Sequence, residues 1–246
     1  MIVARARPRV SRSRAKHSMS ARRAALHQAS ALVSGRDISW NTQSEEALLA
    51  QGNASAQLAR PFAQFMLPMM GDLGDRLAAP GARMLDIGTG VAATAVGFAQ
   101  VFRQLHVLGI DILDRALDLV RQAIAAGDVA AWVTVRRQDV ADFADDTGFD
   151  LAFLPAPFIP RPAVHSGLPR VAAAPRPGGW LMVGHGKFGE TPVEDALTRL
   201  KTIAYGGTPL DEAVASQLLR NAGLTSARTL PTPRGAPAFT IGQKPA

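Results

Sequence analysis

An acid two positions ahead of a Gly-x-Gly turn, in Asp86-Ile87-Gly88-Thr89-Gly90-Val91-Ala92, is the constellation in this chain with the most chemical content. Residues 82–85 read as the start of a buried parallel strand, and residues 93–101 as the apolar helix that follows the turn. A strand, a glycine turn and a helix in that order make a nucleotide pocket. Glycine at 88 and 90 permits a tight turn and lets a ligand lie against bare backbone. A carboxylate at the strand end repels a pyrophosphate and attracts an ammonium group. Two further acids follow in step, Asp111 after the apolar run 105–110 and Asp139 after Arg136-Arg137-Gln138.

That combination suits S-adenosylmethionine, which carries an amino acid and no phosphate. A dinucleotide fold is the rival reading, because Gly88, Gly90 and Ala93 satisfy a loose G-x-G-x-x-G/A pattern and Asp111 lies at about the ribose-binding distance of roughly 20 residues. Three features weigh against it. Dinucleotide folds place an apolar residue where Asp86 stands, Asp139 supplies a second acid, and the C-terminal pattern is not theirs. Residues 225–230 and 238–242 are β-rich runs separated by Pro231-Thr232-Pro233-Arg234-Gly235, a spacing that predicts antiparallel pairing.

From about Ala79 to the C-terminus the chain resembles the class I S-adenosylmethionine-dependent methyltransferases, of the bacterial small-molecule type. The resemblance implies a doubly wound α/β fold: a Rossmann-like seven-stranded sheet, mostly parallel, with an antiparallel C-terminal hairpin strand and a helical N-terminal lid. It places Asp86, Gly88 and Gly90 around the methionine part of the cofactor. Ala92 stands at the third glycine, where its methyl is expected to narrow the pocket. Asp111 becomes the ribose ligand, Ile112 an adenine neighbour, Asp139 the acceptor for the adenine amino group, and Val140 the cover over the ring. Leu154 and Pro155, at the end of the fourth strand, complete the cofactor-binding set.

The fourth motif, Leu154-Pro155-Ala156-Pro157-Phe158, lacks the polar first residue that holds the target nitrogen in enzymes methylating nucleic-acid bases or protein glutamine. No catalytic histidine transfers by motif either. Residues 171–184 resemble the family's helix, Pro-Gly-Gly turn and fifth strand, with prolines ending the helix. Residues 218–222 read as a helix stopped by Gly223.

The elements that must position this site are bounded by composition. At 246 residues, 47% hydrophobic, the chain can bury one substantial core and a small accessory element. No apolar run reaches the roughly 20 residues of a membrane span, the first thirty residues lack an apolar signal core, and there are no cysteines. A cytoplasmic bacterial setting is the expectation. The net charge of +7 is local: residues 1–36 hold nine Lys and Arg and no acid, leaving 18 basic against 20 acidic residues elsewhere. Residues 1–18 therefore read as a basic disordered tail, residues 19–78 as the helical lid, and residues 79–246 as the methyltransferase domain.

Within the lid, residues 20–33 are alanine-rich with Leu26 and Leu32 as anchors, broken by Ser34-Gly35. Thr42 is a candidate helix cap, with Leu48 and Leu49 as the buried residues. From 57 to 70, Leu58, Phe62, Phe65, Met66, Met69 and Met70 form one broad apolar face. Trp40, Phe62, Met66 and Phe158 are the expected substrate-binding residues.

Methyl transfer from a sulfonium is an in-line displacement with an activated leaving group, so positioning and water exclusion carry most of the catalysis. If a hydroxyl acceptor must lose its proton, His165 and His185 are the candidate bases, one after the fourth strand and one ending the fifth. His17, His27 and His106 are poorer choices by position. Asp150 is the one acid near the fourth motif, so no metal is expected. The reading is methyl transfer to a small, largely apolar or aromatic acceptor, oxygen before nitrogen, in the manner of secondary metabolism. The partner is then a small-molecule substrate; nucleic acid and membrane are not expected, and a homodimer stays open. Two alternatives stay open as well: an RNA or protein methyltransferase recruited by the basic tail, and a protein that binds the cofactor without transferring its methyl.

Overall fold

The computed structural model describes residues 40–125, 130–188, 191–233 and 236–246. The expected basic tail and the 20–33 helix lie outside the described residues. Seven strands form one sheet: β1 (Arg83–Ile87), β2 (His106–Asp111), β3 (Val133–Arg137), β4 (Phe149–Pro155), β5 (Pro175–His185), β6 (Thr225–Leu230) and β7 (Ala238–Gln243), in the order β3-β2-β1-β4-β5-β7-β6. β1 to β5 pair in parallel, and β7 inserts antiparallel between β5 and β6. The doubly wound sheet with an antiparallel C-terminal strand is therefore present. The order reverses between β1 and β4, and in open α/β sheets ligands bind at such a switch point, beyond the carboxyl ends of the strands.

Residues 84–87 of β1 are buried on both faces, which is why that segment reads as a continuous apolar run broken by one acid. One layer of core packs Met84, Val107, Leu151 and Met182 against helix α3 (Ala93–Val101) and the lid. The other packs Leu85, Leu108, Ala152 and Leu181 against α5 (Arg161–Ala173) and α7 (Glu212–Asn221). Among the described residues the other helices longer than one turn are α1 (Glu45–Ser55), α2 (Leu73–Ala78), α4 (Asp114–Ala125) and α6 (Pro192–Ala204).

Three local details depart from the sequence reading. Ser44, not Thr42, caps α1 by accepting from the Ala47 amide, and Leu48 is buried while Leu49 is exposed. A one-turn helical face buries only the residues spaced to meet it. Second, β5 already begins at Pro175, inside the stretch expected as a turn; Gly178 adopts φ +76° there and the register against β4 shifts between Phe149 and Leu151. A bulge accommodates the prolines that a regular ladder would reject.

Third, the apolar face of residues 57–70 is split. A π-turn over Phe62–Met66, just after Pro61, rotates the chain so that Phe62, Met66 and Met70 are buried while Phe65 is 62% exposed.

Candidate cofactor and acceptor site

The carboxyl ends of β1, β2 and β4 and the overlying lid enclose a cavity of about 1530 Å³. That exceeds the roughly 300–1,000 Å³ typical of a site for one small ligand, so it has room for two reactants. Its inner half is built on the glycine turn. Gly88 and Gly90 have φ of +63° and +55°, a region only glycine enters freely. A side chain added at Gly90 meets nothing within 4 Å, so it would occupy the space left for a ligand.

Asp86 ends up beneath this turn with its carboxylate wholly buried. Thr89 Oγ1 donates to it at 2.7 Å, and the neighbouring Asp111 adds negative charge. Burial is the largest influence and pushes its pKa up to about 7, with the Thr89 bond opposing and Asp111 reinforcing the rise. A buried acid poised to ionise suits a ligand that brings a positive charge. Asp111 accepts from the Gly90 amide at 2.8 Å through one oxygen and from the Leu113 amide at 2.9 Å through the other. Each oxygen keeps a second lone pair for a ribose hydroxyl. Burial raises this pKa too, against the bonds from Leu113 and Gly90. Asp139 caps the short turn Val140–Asp142 by accepting from the Ala141 amide, and stays exposed at the cavity wall beside buried Val140.

The wall includes Trp40, Met66, Asp86, Gly88, Gly90, Asp111, Ile112, Asp139, Val140, Pro155, Phe158 and His185. Ala92, Leu154, Phe62 and His165 are not part of it, and each has a physical reason. Ala92 takes a left-handed φ of +51° at the start of α3, which turns its methyl into the fully buried core and leaves the pocket no narrower. Leu154 packs into the core layer under α5. Phe62 is fully buried, 5.0 Å from the Phe98 ring. His165 sits on helix α5, not in a loop, and faces solvent.

His185 does reach the wall but is committed elsewhere. Its ring lies 2.8 Å from the Gly186 carbonyl through Nδ1 and 2.8 Å from Thr240 Oγ1 through Nε2. A carbonyl only accepts, so Nδ1 carries the proton and Nε2 accepts from Thr240, whose oxygen in turn accepts from Thr229 at 2.7 Å. Burial lowers the His185 pKa and keeps the ring neutral. The one basic lone pair of this ring is spent inside the sheet, so neither expected histidine is placed as a base.

The outer half of the cavity joins the expected Trp40 and Phe158 to Tyr205, which sequence reading passes over. Trp40 stacks on Tyr205 at 5.9 Å and 17°, and Phe158 contacts both rings at 6.0 and 5.0 Å. Burial holds the Tyr205 phenol above its usual pKa. Lys187 and Lys201 also reach this wall. The Tyr205 loop is pinned to the loop after β4: Thr208 donates to the Ala156 and Ile159 carbonyls at 2.8 Å each, and a side chain at Gly207 would strike the Pro157 backbone at 1.8 Å. Gly52 of α1 comes as close to the cofactor turn, since a methyl there would lie 2.2 Å from Val91 Cγ2. A glycine inside a helical pattern is the signal that could have flagged Gly52. Tyr205 has no comparable mark, because its partners are far away in sequence.

Residues 84–179 match the model of a methyltransferase domain, a span that includes the glycine turn, Asp111, Asp139 and the loop after β4. This stretch of the chain carries the sequence pattern of a methyltransferase domain. No curated protein matches it significantly in sequence. Among solved structures, an O-methyltransferase family protein from Burkholderia thailandensis is 19% identical, with 84% of this chain and 62% of that one covered and a TM-score of 0.63. An O-methyltransferase family 2 protein from Planctomyces limnophilus, in complex with apigenin, is 18% identical over 80% of this chain and 59% of that one, TM-score 0.66. Human N-acetylserotonin methyltransferase, in complex with S-adenosylmethionine, is 17% identical over 82% and 57%, TM-score 0.61. The chain thus spans about six-tenths of the length of these structures, and the likeness is one of fold.

S-adenosylmethionine is the cofactor of such a domain, and the residues at hand fit it. The turn leaves open space at Gly90, while Gly88 packs 3.3 Å from the Ile159 side chain; the buried Asp86 suits a cation, and Asp111 has lone pairs to spare. Among the described residues no group of three or more His, Cys, Asp or Glu could hold a metal ion, and no helix is long and apolar enough to cross a membrane.

Proposed function

We propose that the protein transfers the methyl group of S-adenosylmethionine to an oxygen of a small, largely apolar or aromatic acceptor bearing an acidic hydroxyl. The observation that carries this reading is the division of one large cavity into a carboxylate-lined inner half and an aromatic outer half. Asp86, Gly88 and Gly90 would hold the methionine part, Asp111 the ribose, and Ile112, Asp139, Val140 and Pro155 the adenine side. The acceptor would lie against Trp40, Met66, Phe158 and Tyr205. The cofactor supplies an activated methyl, so the chain's own residues need only align the acceptor and exclude water.

With His165 turned to solvent and His185 tied to Thr240, the proton on the acceptor oxygen has no histidine to go to. A phenol or enol that ionises in water resolves this; Lys201, whose ammonium lies 5.7 Å from the centre of the Tyr205 ring, and Lys187, which donates to the Thr232 carbonyl, add positive charge to a wall that also holds Glu194. Aromatic acceptors of this kind are in keeping with secondary metabolism. The apigenin complex of the Planctomyces protein supports the size and polarity of the acceptor. Methylation of nitrogen is the second reading, favoured only by the same apolar wall.

The test is turnover of a panel of phenols, enols, aliphatic alcohols and amines with S-adenosylmethionine, followed through release of S-adenosylhomocysteine. Phenols should react, with a kcat/KM that rises with pH along the acceptor's own ionisation. Activity confined to amines would reject oxygen as the acceptor. Tight NAD binding with no response to S-adenosylmethionine would reject the reading as a whole.

A further inference from the structure

The chain has one tyrosine against ten phenylalanines, and that tyrosine stands at the aromatic end of the cavity. Tyr205 directly follows α6, and its amide donates to the Lys201 and Thr202 carbonyls, closing that helix. Its ring is held by Trp40 and Phe158, with the Lys201 ammonium 5.7 Å from its centre. Packing of that kind needs only the ring. A phenylalanine, which this chain uses freely, would supply it, so the hydroxyl calls for a separate account.

We propose that the Tyr205 hydroxyl donates a hydrogen bond to a carbonyl oxygen of the acceptor, so that the substrates are phenols or enols that also carry a carbonyl group. The inference rests on the reading of the outer half as the acceptor's seat. Its first ground is an unmet bond. Tyr205 is 7% exposed, yet among the described residues its hydroxyl has no partner, although a buried phenol ordinarily finds one. Nor is the oxygen walled in: among the described residues the sealed polar side-chain atoms without a partner are Trp40 Nε1, Arg176 Nε and Trp180 Nε1. On a residue that lines the cavity, an oxygen both unpaired and accessible opens on the space a ligand fills.

The second ground is what surrounds it. His185 is bonded to Gly186 and Thr240, Lys187 donates to the Thr232 carbonyl, and Thr202 donates to the Thr198 carbonyl. These polar neighbours on the wall are committed to the protein, whereas Tyr205 keeps its bond for a ligand. The third is chemical type. A phenol shares its oxygen lone pair with the ring, which makes the hydroxyl a better donor than acceptor, and burial raises the Tyr205 pKa, so the proton stays. Such a donor selects an oxygen that only accepts. A carbonyl meets that need without the desolvation that a carboxylate would bring to an apolar pocket. The ring packs against two others, on a loop with no room for a methyl at Gly207. The hydroxyl is therefore aimed before the substrate arrives, and little ordering entropy is lost on binding.

Tyr205→Phe keeps the ring and removes the hydroxyl. Turnover by the full-length parent and variant is measured for two matched pairs, hydroxyacetophenone with ethylphenol and hydroxyflavanone with hydroxyflavan, in which the second member lacks only the carbonyl oxygen. Comparing variant with parent on each compound cancels the carbonyl's own effect on phenol acidity. In at least one pair the expected loss of kcat/KM is roughly tenfold greater for the ketone than for its partner and is carried by KM, while S-adenosylmethionine affinity and melting temperature hold. Equal losses within both pairs, or none, would overturn the inference. So would a parallel fall in cofactor affinity, which marks a structural role. Methylation of the carbonyl-free phenols alone would overturn it too and leave the proposed function standing. If the parent methylates no phenol, the proposed function fails and this inference with it.

Discussion

Replacing Asp86 with Asn, or titrating it, tests whether a buried carboxylate is held in reserve for a cationic ligand. Its pKa is raised from 3.8 to about 7, with burial as the main cause. A raised folded-state pKa means that the native protein binds a proton that the unfolded chain has already released. The contribution to stability is therefore complete below pH 3.8 and is lost as pH rises, levelling off above pH 7. Across pH 5 to 8 the loss is about 3 kcal/mol at 1.36 kcal/mol per unit. Asn keeps the shape and the Thr89 bond but cannot ionise. The stability of Asp86→Asn relative to the parent should thus climb by about 3 kcal/mol over that interval, read from urea unfolding at each pH.

Binding gives the complementary signal. A cation seated against Asp86 restores the carboxylate, so binding of S-adenosylmethionine should release about 0.9 proton at pH 6 and about 0.1 at pH 8, and none in the variant. Calorimetry in two buffers of different ionisation enthalpy measures this directly. Parallel stability curves together with no proton release would refute the assignment of Asp86 as an acid held near neutrality.

Three other perturbations follow from the geometry. Asp111→Ala removes the carboxylate that the proposed function assigns to the ribose and should weaken S-adenosylmethionine by on the order of 2–4 kcal/mol in calorimetry, with little loss of melting temperature. His185→Gln unsettles the chain of bonds through Thr240 and Thr229 and should lower stability by about 1–3 kcal/mol, while the pH dependence of turnover keeps its parent shape; a shifted profile would return His185 to a role in proton transfer. Gly52→Ala forces a methyl against Val91, displacing α1 from the cofactor turn, and should cost cofactor affinity more than thermal stability, checked by calorimetry and melting side by side.

The fold and the cofactor half of the site were legible because their signals are local. A glycine turn, a strand-end acid and a continuous apolar run each lie within a dozen residues, and Asp86, Asp111 and Val140 lie on the cavity wall. The outer half was legible only in part: Trp40, Met66 and Phe158 were expected and lie on its wall, whereas Tyr205 was not foreseen. Trp40, Phe158 and Tyr205 are brought together only by the tertiary fold, and no spacing rule links them. The histidines misled because strand ends fix position but not partners: His185 sits where a base would, yet Thr240, which satisfies it, belongs to a strand 55 residues later. Phe62 misled through the π-turn, an irregularity that shifts a helical face without leaving a mark in composition.

The contact between Gly207 and the Pro157 backbone has a bearing on how the protein could be redesigned. Two loops that meet with no room for a methyl act as a rigid frame, and Phe158 and Tyr205 are mounted on it like interchangeable lenses. Exchanging those two rings, and Trp40 with them, alters the shape of the aromatic end of the cavity without moving the two loops beneath it. Acceptor range should therefore yield to side-chain libraries at these three positions, whereas grafting either loop alone from a relative would unseat the other.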